Sequence, residues 1–289
     1  MDNPMRGVLL LLSATLCFSI TDVMAKFLGN HIPVIEIGWI RYITFLVAVL
    51  LVNLREGRMR VRVKYPGVQV ARGVMMVASM LLFVLALRYL PLADAASVGF
   101  VSPLLITALS VPMLGEVVGI RRWAAIIVGF VGVLIVIRPG TGAFQPAAFL
   151  VLGSSLAWAF ASIFTRRIAG REDTSATMLW TGVIGLVMLS IAVPFDFVVP
   201  SMSLLALNIA LGVLATVGQY WMIQAYRYAG ASLLAPFSYI QLIWATTAGY
   251  LVFDTLPDAQ TLVGAAIIVA SGLYTIHRER ERAKARAAA

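Results

Sequence analysis

Residues 86–105 read ALRYLPLADAASVGFVSPLL, and residues 225–245 read AYRYAGASLLAPFSYIQLIWA. Each opens on a basic, tyrosine-bearing turn, Ala86-Leu87-Arg88-Tyr89 or Ala225-Tyr226-Arg227-Tyr228, and continues into an apolar segment that carries a proline. They are two copies of one pattern, and the copying extends outward. Met24-Ala25-Lys26-Phe27-Leu28-Gly29 is matched by Thr165-Arg166-Arg167-Ile168-Ala169-Gly170. Gly132 precedes Arg138 by six residues, as Gly272 precedes Arg278. The chain therefore contains itself twice, over about 6–138 and 146–278.

Hydrophobic residues make up 61% of the 289 residues and charged residues 12%. An apolar run of roughly 20 residues crosses a hydrocarbon core as a helix, and lipid leaves no other fate for open backbone. Ten such runs are predicted, at 6–27, 33–54, 67–90, 92–113, 121–138, 146–168, 175–195, 202–228, 231–253 and 259–277. The first has a superficial likeness to a signal peptide, with Val23-Met24-Ala25 as cleavage site, but it is too long and Arg6 is the one basic side chain of its leader. Five spans per copy is an odd number, so the second copy enters the membrane upside down. The expected fold is an all-α integral membrane protein with ten transmembrane helices in two inverted five-helix repeats. The first repeat is placed at 1–140, the second at 141–278, and a basic tail at 279–289.

A net charge of +9 could suggest nucleic acid, but its distribution points to a membrane. Of 22 basic residues, 18 fall on the side that holds both termini and three, Lys26, Arg88 and Arg138, on the other, with Arg41 inside a span. Such asymmetry orients a membrane protein. Both termini are expected in the cytoplasm and the chain in the inner membrane, with the 55–64 loop and the tail against anionic headgroups. The three exceptions are the repeat partners of Arg167, Arg227 and Arg278. Inverted repeats recur in secondary transporters, with the substrate site between the halves near the midplane.

Several classes recede. Cys17 is the single cysteine, so no intrachain disulfide or cysteine metal cluster forms. His31 and His277 sit at span ends, which leaves no histidine in a core to serve a nucleophile. There is no phosphate-binding GxxxxGK[ST], and Gly140-Thr141-Gly142 reads as a turn. No enzyme activity, cofactor, metal or nucleic acid is expected. A channel or scaffold remains as an alternative to a carrier, with an intramembrane enzyme behind it.

The quoted stretches, together with Leu114-Gly115-Glu116, resemble the drug/metabolite transporter superfamily, in its ten-helix EamA-type branch. The resemblance covers nearly the whole chain and implies export or exchange of small metabolites. The subgroup it resembles most is the YddG-like exporters, which implies aromatic and other neutral amino acids. Two departures stand out. Phe253-Asp254-Thr255 replaces the family's Gly-Glu in the second copy, and Pro103 aligns with Leu242 while the second proline lies earlier, at Pro236. Neither Glu116 nor Pro103 therefore carries its role across.

Candidate site residues are the polar and aromatic side chains placed deep in spans. Trp158 and Ser162 share a face of span 6 with Ser155 and Thr165. Gln219 lies in span 8, Tyr239 and Gln241 follow Pro236 in span 9, and Ser79 and Ser102 lie in spans 3 and 4. Helix packing is the competing explanation for each of these serines and threonines. Arg41, about 12 Å beyond Pro33, either snorkels, pairs with Asp22 or Glu36, or grips a substrate carboxylate. Asp22 is the one carboxylate clearly within a span, the candidate for any proton coupling, and Lys26 stands four residues on as its potential partner. Hydroxyls, amides and aromatic faces suit a neutral or zwitterionic amphipathic solute. The small residues Ala125, Gly129, Gly132, Ala265 and Gly272 serve either a dimer seam or internal packing, so monomer and homodimer both stay open.

Overall fold

The computed structural model describes residues 4–55, 61–116, 118–139, 145–168, 171–229 and 231–288, with main chain only at 231, 232, 235 and 279–288. Twelve α-helices follow one another: α1 Pro4–Gly29, α2 Val34–Arg55, α3 Pro66–Leu87, α4 Leu92–Gly99, α5 Ser102–Leu114, α6 Ile120–Ile137, α7 Ala148–Ile168, α8 Thr174–Ala192, α9 Met202–Tyr228, α10 Ala231–Ser238, α11 Ile240–Phe253 and α12 Ala259–Ala288. Among the described residues nine helical units are long and apolar enough to cross a membrane, with α4 and α5 counted as one. The tenth crossing is α10 followed by α11. The expected tail does not start a new unit, because α12 continues through it to Ala288.

Spans 4 and 9, expected as single runs, are each broken in the middle. The first break has a direct cause. Pro103 has no N–H to offer the carbonyl four residues back, at Gly99. The Ser102 hydroxyl donates to that carbonyl instead, at 2.7 Å, and the Ser155 hydroxyl of α7 approaches it at 3.5 Å. The second break falls at Tyr239, three residues past Pro236.

Contacts between helix ends show the chain alternating across the membrane. Pro4, Arg55, Pro66 and Arg278 lie toward one face, called proximal below; Gly29, Val34, Leu87 and Ala259 lie toward the distal face. On the proximal side Arg6 stacks over Tyr228 at 4.6 Å, and the Glu172 carboxylate accepts the N–H groups of Lys64 and Tyr65 at 2.7 and 2.8 Å. On the distal side Arg88 donates to the Ile32 carbonyl at 2.7 Å, and Trp39 donates to Ser190 at 2.9 Å.

The most extensive helix contacts run between the two halves, and they come in matched pairs. Exchanging each span with its repeat partner turns the α1–α9 contact into α3–α7, and α1–α11 into α5–α7. The same exchange turns α2–α9 into α3–α8, and maps α2–α8 and α6–α12 onto themselves. The halves are interlocked rather than set side by side. At α6–α12 the backbones themselves touch: a Cβ at Gly132 would lie 2.8 Å from the Gly264 carbonyl, and one at Gly264 2.7 Å from the Gly132 carbonyl. Of the small residues of spans 5 and 10, Gly132 and Gly129 face this internal seam, whereas Gly272 makes room for the Tyr239 hydroxyl. The outward faces are apolar and exposed, as at Ile127, Val131 and Leu134 of α6, which suits a surface covered by lipid acyl chains.

Candidate functional site

Two of the chain's deep charges lie at one depth. Asp22 is seven residues before the end of α1 and Arg41 seven residues after the start of α2. At 1.5 Å per residue both are about 10 Å in from the distal ends of their helices. Arg41 acts electrostatically on the Asp22 carboxylate without a direct ion pair to it, and the Gln241 amide of α11 hydrogen-bonds to it. Asp22 is enclosed by protein yet keeps accessible surface, as do Arg41 and Gln241. Three helices from both repeats thus bring a carboxylate, a guanidinium and a primary amide together.

Lys26 does not join them. Its ammonium turns to the Leu90 carbonyl and lies 5.3 Å from the Phe253 ring centre, with Asp94 as its charged neighbour. Spacing four residues apart on a helix allowed the Asp22–Lys26 pair, but a free carbonyl at the turn before α4 sits closer to the lysine's reach. Glu36, the other potential partner of Arg41, accepts the Val198 N–H at 3.3 Å instead.

Beside this cluster the two broken spans meet. Phe100 ends α4, Tyr239 begins α11, and their rings lie 4.9 Å apart at 37°. These residues are 139 apart in sequence, the offset that also relates Arg88 to Arg227, so they are repeat partners meeting across the axis that relates the halves. The ring separation is within the range where aromatic pairs attract. The Tyr239 hydroxyl and the Trp244 indole N–H are buried without a hydrogen-bond partner among the described residues.

The remaining candidates divide. Ser79 is buried against α7, its hydroxyl 3.1 Å from that of Ser154, which donates to the Ser79 carbonyl at 2.8 Å. Ser102 holds the Gly99 carbonyl, as described. These two serines serve packing and the helix break. Trp158 is 41% exposed, and Ser162 and Gln219 are partly exposed with no side-chain hydrogen bond among the described residues. These three keep free polar or aromatic surface, but none is brought to Asp22 by a contact.

One functional-looking residue escaped the sequence reading. Arg72, counted there as a charge near a span end, is 8% exposed. Its guanidinium donates to Thr165 of α7 at 2.7 Å, to the Thr177 carbonyl at 3.4 Å and to the Thr181 hydroxyl of α8. The threonines that receive it are spread over α7 and α8, so no spacing in the chain announced them. Arg72 ties the first half to the second on the proximal side.

The two faces are not equivalent. On the distal side Lys26, Arg88 and Arg138 are all engaged, Arg138 with Asp258 in an ion pair. There α1 packs on α3, whereas the equivalent pair α7 and α9 makes no comparable contact. Among the described residues the repeat partner Arg227 donates to Gln224 within its own helix, at 3.3 Å.

The family model described as EamA-like transporter family matches residues 5–138 and 145–276. An S-adenosylmethionine uptake transporter of Rickettsia prowazekii (strain Madrid E) is 26% identical over 278 residues, covering 96% of this chain and 94% of its own. A riboflavin transporter of Rhizobium johnstonii is 30% identical over 284 residues, covering 96% and 92%. A pseudopaline exporter of Pseudomonas aeruginosa is 27% identical over 276 residues, covering 93% and 95%. A crystal structure that superposes with a TM-score of 0.66 over 95% of this chain and 98% of its own, at 20% identity, shares the fold.

Proposed function

The chain belongs to the EamA-like transporter family, whose members move small metabolites across membranes, and from that premise we propose that it carries zwitterionic solutes with an α-amino acid head on an aromatic or apolar body. Aromatic and other neutral amino acids are the simplest such solutes. The supporting observation is the paired presence of Asp22 and Arg41 at one depth. An ammonium group needs a carboxylate partner and a carboxylate suits a guanidinium, which can grip it with two parallel hydrogen bonds. A zwitterionic head can set its ammonium against Asp22 and its carboxylate against Arg41 and so loses little in leaving water. Phe100, Tyr239 and Trp158 supply faces for the rest of the molecule.

S-adenosylmethionine, named for one relative, has the same amino acid head on a larger heteroaromatic body. Riboflavin, named for another, lacks that head. This makes the relatives a ready panel. Purified protein in vesicles loaded with phenylalanine should exchange it for labelled phenylalanine, tryptophan or S-adenosylmethionine, in a saturable way. Phenethylamine and phenylpropionate, each with half the head group, should compete poorly. Riboflavin exchanging well while every amino acid fails would replace this reading with a carrier of neutral heteroaromatics. Flux that never saturates would indicate a channel.

The working cycle follows from the interlocked halves. Exchange of their roles opens the site to alternate faces, and the proximal face, rich in Lys and Arg, is placed in the cytoplasm by the positive-inside rule. The same reading assigns the chain to the inner membrane and divides it into repeats at 140/141, a junction outside the described residues.

A further inference from the structure

The seam between α6 and α12 is related to itself by the repeat, so each end of it has a counterpart at the other. At the distal end α6 finishes on Arg138 and α12 begins after Asp258. The Asp258 carboxylate accepts the Thr261 N–H at 2.8 Å, covering the start of α12, and pairs with Arg138. At the proximal end the counterpart of Arg138 is Arg278 and that of Asp258 is Val118, both 140 residues away. The start of α6 accordingly has no carboxylate from its own stretch of chain among the described residues. Its capping residue is Gly119, with no side-chain bond to the helix and no acid in the first turn.

What stands there instead is positive charge around a space. A cleft of about 270 Å³ is lined by Gly119, Ile120, Arg121, Arg122 and Arg278. Arg122 is 8% exposed and its Nε has no hydrogen-bond partner among the described residues. An arginine so nearly enclosed and unpaired is costly unless an anion reaches it. The open N–H groups of a helix start add partial positive charge pointing the same way. Glu116, the acid that precedes the start of α6, is committed to Arg166 at 2.8 Å. The cleft opens where α6 turns its exposed apolar face outward, with Ile120 82% and Trp123 38% exposed, so it lies at the edge of the lipid-covered surface.

We propose that this cleft binds the phosphate of an anionic phospholipid, which supplies to Arg278, Arg122 and the start of α6 the negative charge that Asp258 supplies at the other end. Guanidinium groups and helix N-termini both suit phosphate oxygens.

The test uses full-length protein, delipidated in neutral detergent, with lipid retention read by native mass spectrometry and apparent melting temperature. The probes are short-chain phosphatidylglycerol, short-chain phosphatidylcholine and inorganic phosphate. Phosphatidylglycerol should bind at least tenfold more tightly than phosphatidylcholine and raise the melting temperature. The double variant Arg122→Gln/Arg278→Gln should lose that tenfold preference, while Arg55→Gln, remote from the cleft, keeps it. Val118→Asp restores the missing carboxylate. It should raise the lipid-free melting temperature and abolish the response to phosphatidylglycerol, an outcome that misfolding does not produce. Equal phosphatidylglycerol binding by the wild type and the double variant would overturn the site. Equal potency of inorganic phosphate would overturn the lipid as its ligand.

Discussion

Replacing Gly132 with alanine puts a methyl group where α6 and α12 leave no room. Its Cβ would sit 2.8 Å from the Gly264 carbonyl oxygen, 2.9 Å from Ile268 and 3.1 Å from Ile267. The isoleucines can turn aside, but a carbonyl in a helix cannot. Ordinary contact begins at 3.4 Å, so the helices must part by about 0.6 Å. A gap of that size forfeits roughly a quarter of the dispersion energy of each contact along the seam. Overpacking of this kind costs about 1–3 kcal/mol, and exchanging Gly for Ala in a helix returns about 1 kcal/mol. The net expectation is a loss of about 0–2 kcal/mol relative to the wild type, and about 1–3 kcal/mol relative to a glycine-to-alanine exchange in open space. In a chain this long each kcal/mol lowers the melting temperature by roughly 2–4 °C. The assay is thermal unfolding in detergent, followed by tryptophan fluorescence, with Gly67→Ala as the comparison. A Cβ at Gly67 meets nothing within 4 Å, so that variant should match or exceed the wild type. A Gly132→Ala protein as stable as Gly67→Ala would show that the backbones do not touch, and the interlocked arrangement would lose its anchor.

Three further outcomes follow from the geometry. Lys26→Met with Arg88→Gln removes two of the contacts that close the distal side, so a cysteine placed at Ser102 in a Cys17→Ala background should react several-fold faster with a charged maleimide from that side; an unchanged rate would contradict the closure. Trp158→Ala should weaken aromatic solutes more than aliphatic ones in exchange assays, and a uniform loss would assign Trp158 to packing. Asp258 is held at about 2 by the Arg138 hydrogen bond first and the Thr261 N–H second. A carboxyl lowered in the folded state stabilises it above the ordinary value of 3.8 and loses that contribution as pH falls through about 2. Asp258→Asn should therefore flatten the melting temperature between pH 4 and about 2, and a curve identical to the wild type would remove the ion pair from the account.

The helices were legible because lipid imposes a length and a composition, and both are written in the chain. The span 202–228 falls where the hydrophobic run places it, and the repeat found by offset reappears as paired helix contacts. The breaks in spans 4 and 9 were only half legible. Pro103 signalled a bend, but that Ser102 and Ser155 take over the Gly99 carbonyl depends on where α7 lies. Partners across helices were the weakest part. Spacing four residues apart makes Asp22 a potential partner of Lys26, yet the lysine's carbonyl partner lies 64 residues away. Arg72 was passed over because its threonines are about a hundred residues distant on two helices. The Phe100–Tyr239 pair was not read from the sequence either: a shared offset marks repeat partners, as it does Arg88 and Arg227, but only the structure shows which partners lie on the axis and meet.

The zwitterion reading stands most directly on Arg41. Affinities of phenylalanine and phenylalaninamide, which differ only in the carboxylate, can be measured by isothermal titration for the wild type and for Arg41→Ala. The account predicts that the wild type prefers phenylalanine by roughly 30-fold or more, since truncating one side of a buried charged hydrogen bond costs about 2–5 kcal/mol, and that Arg41→Ala abolishes the preference while the amide binds as before. Both ligands weakening together, or the preference surviving the loss of Arg41, would contradict it.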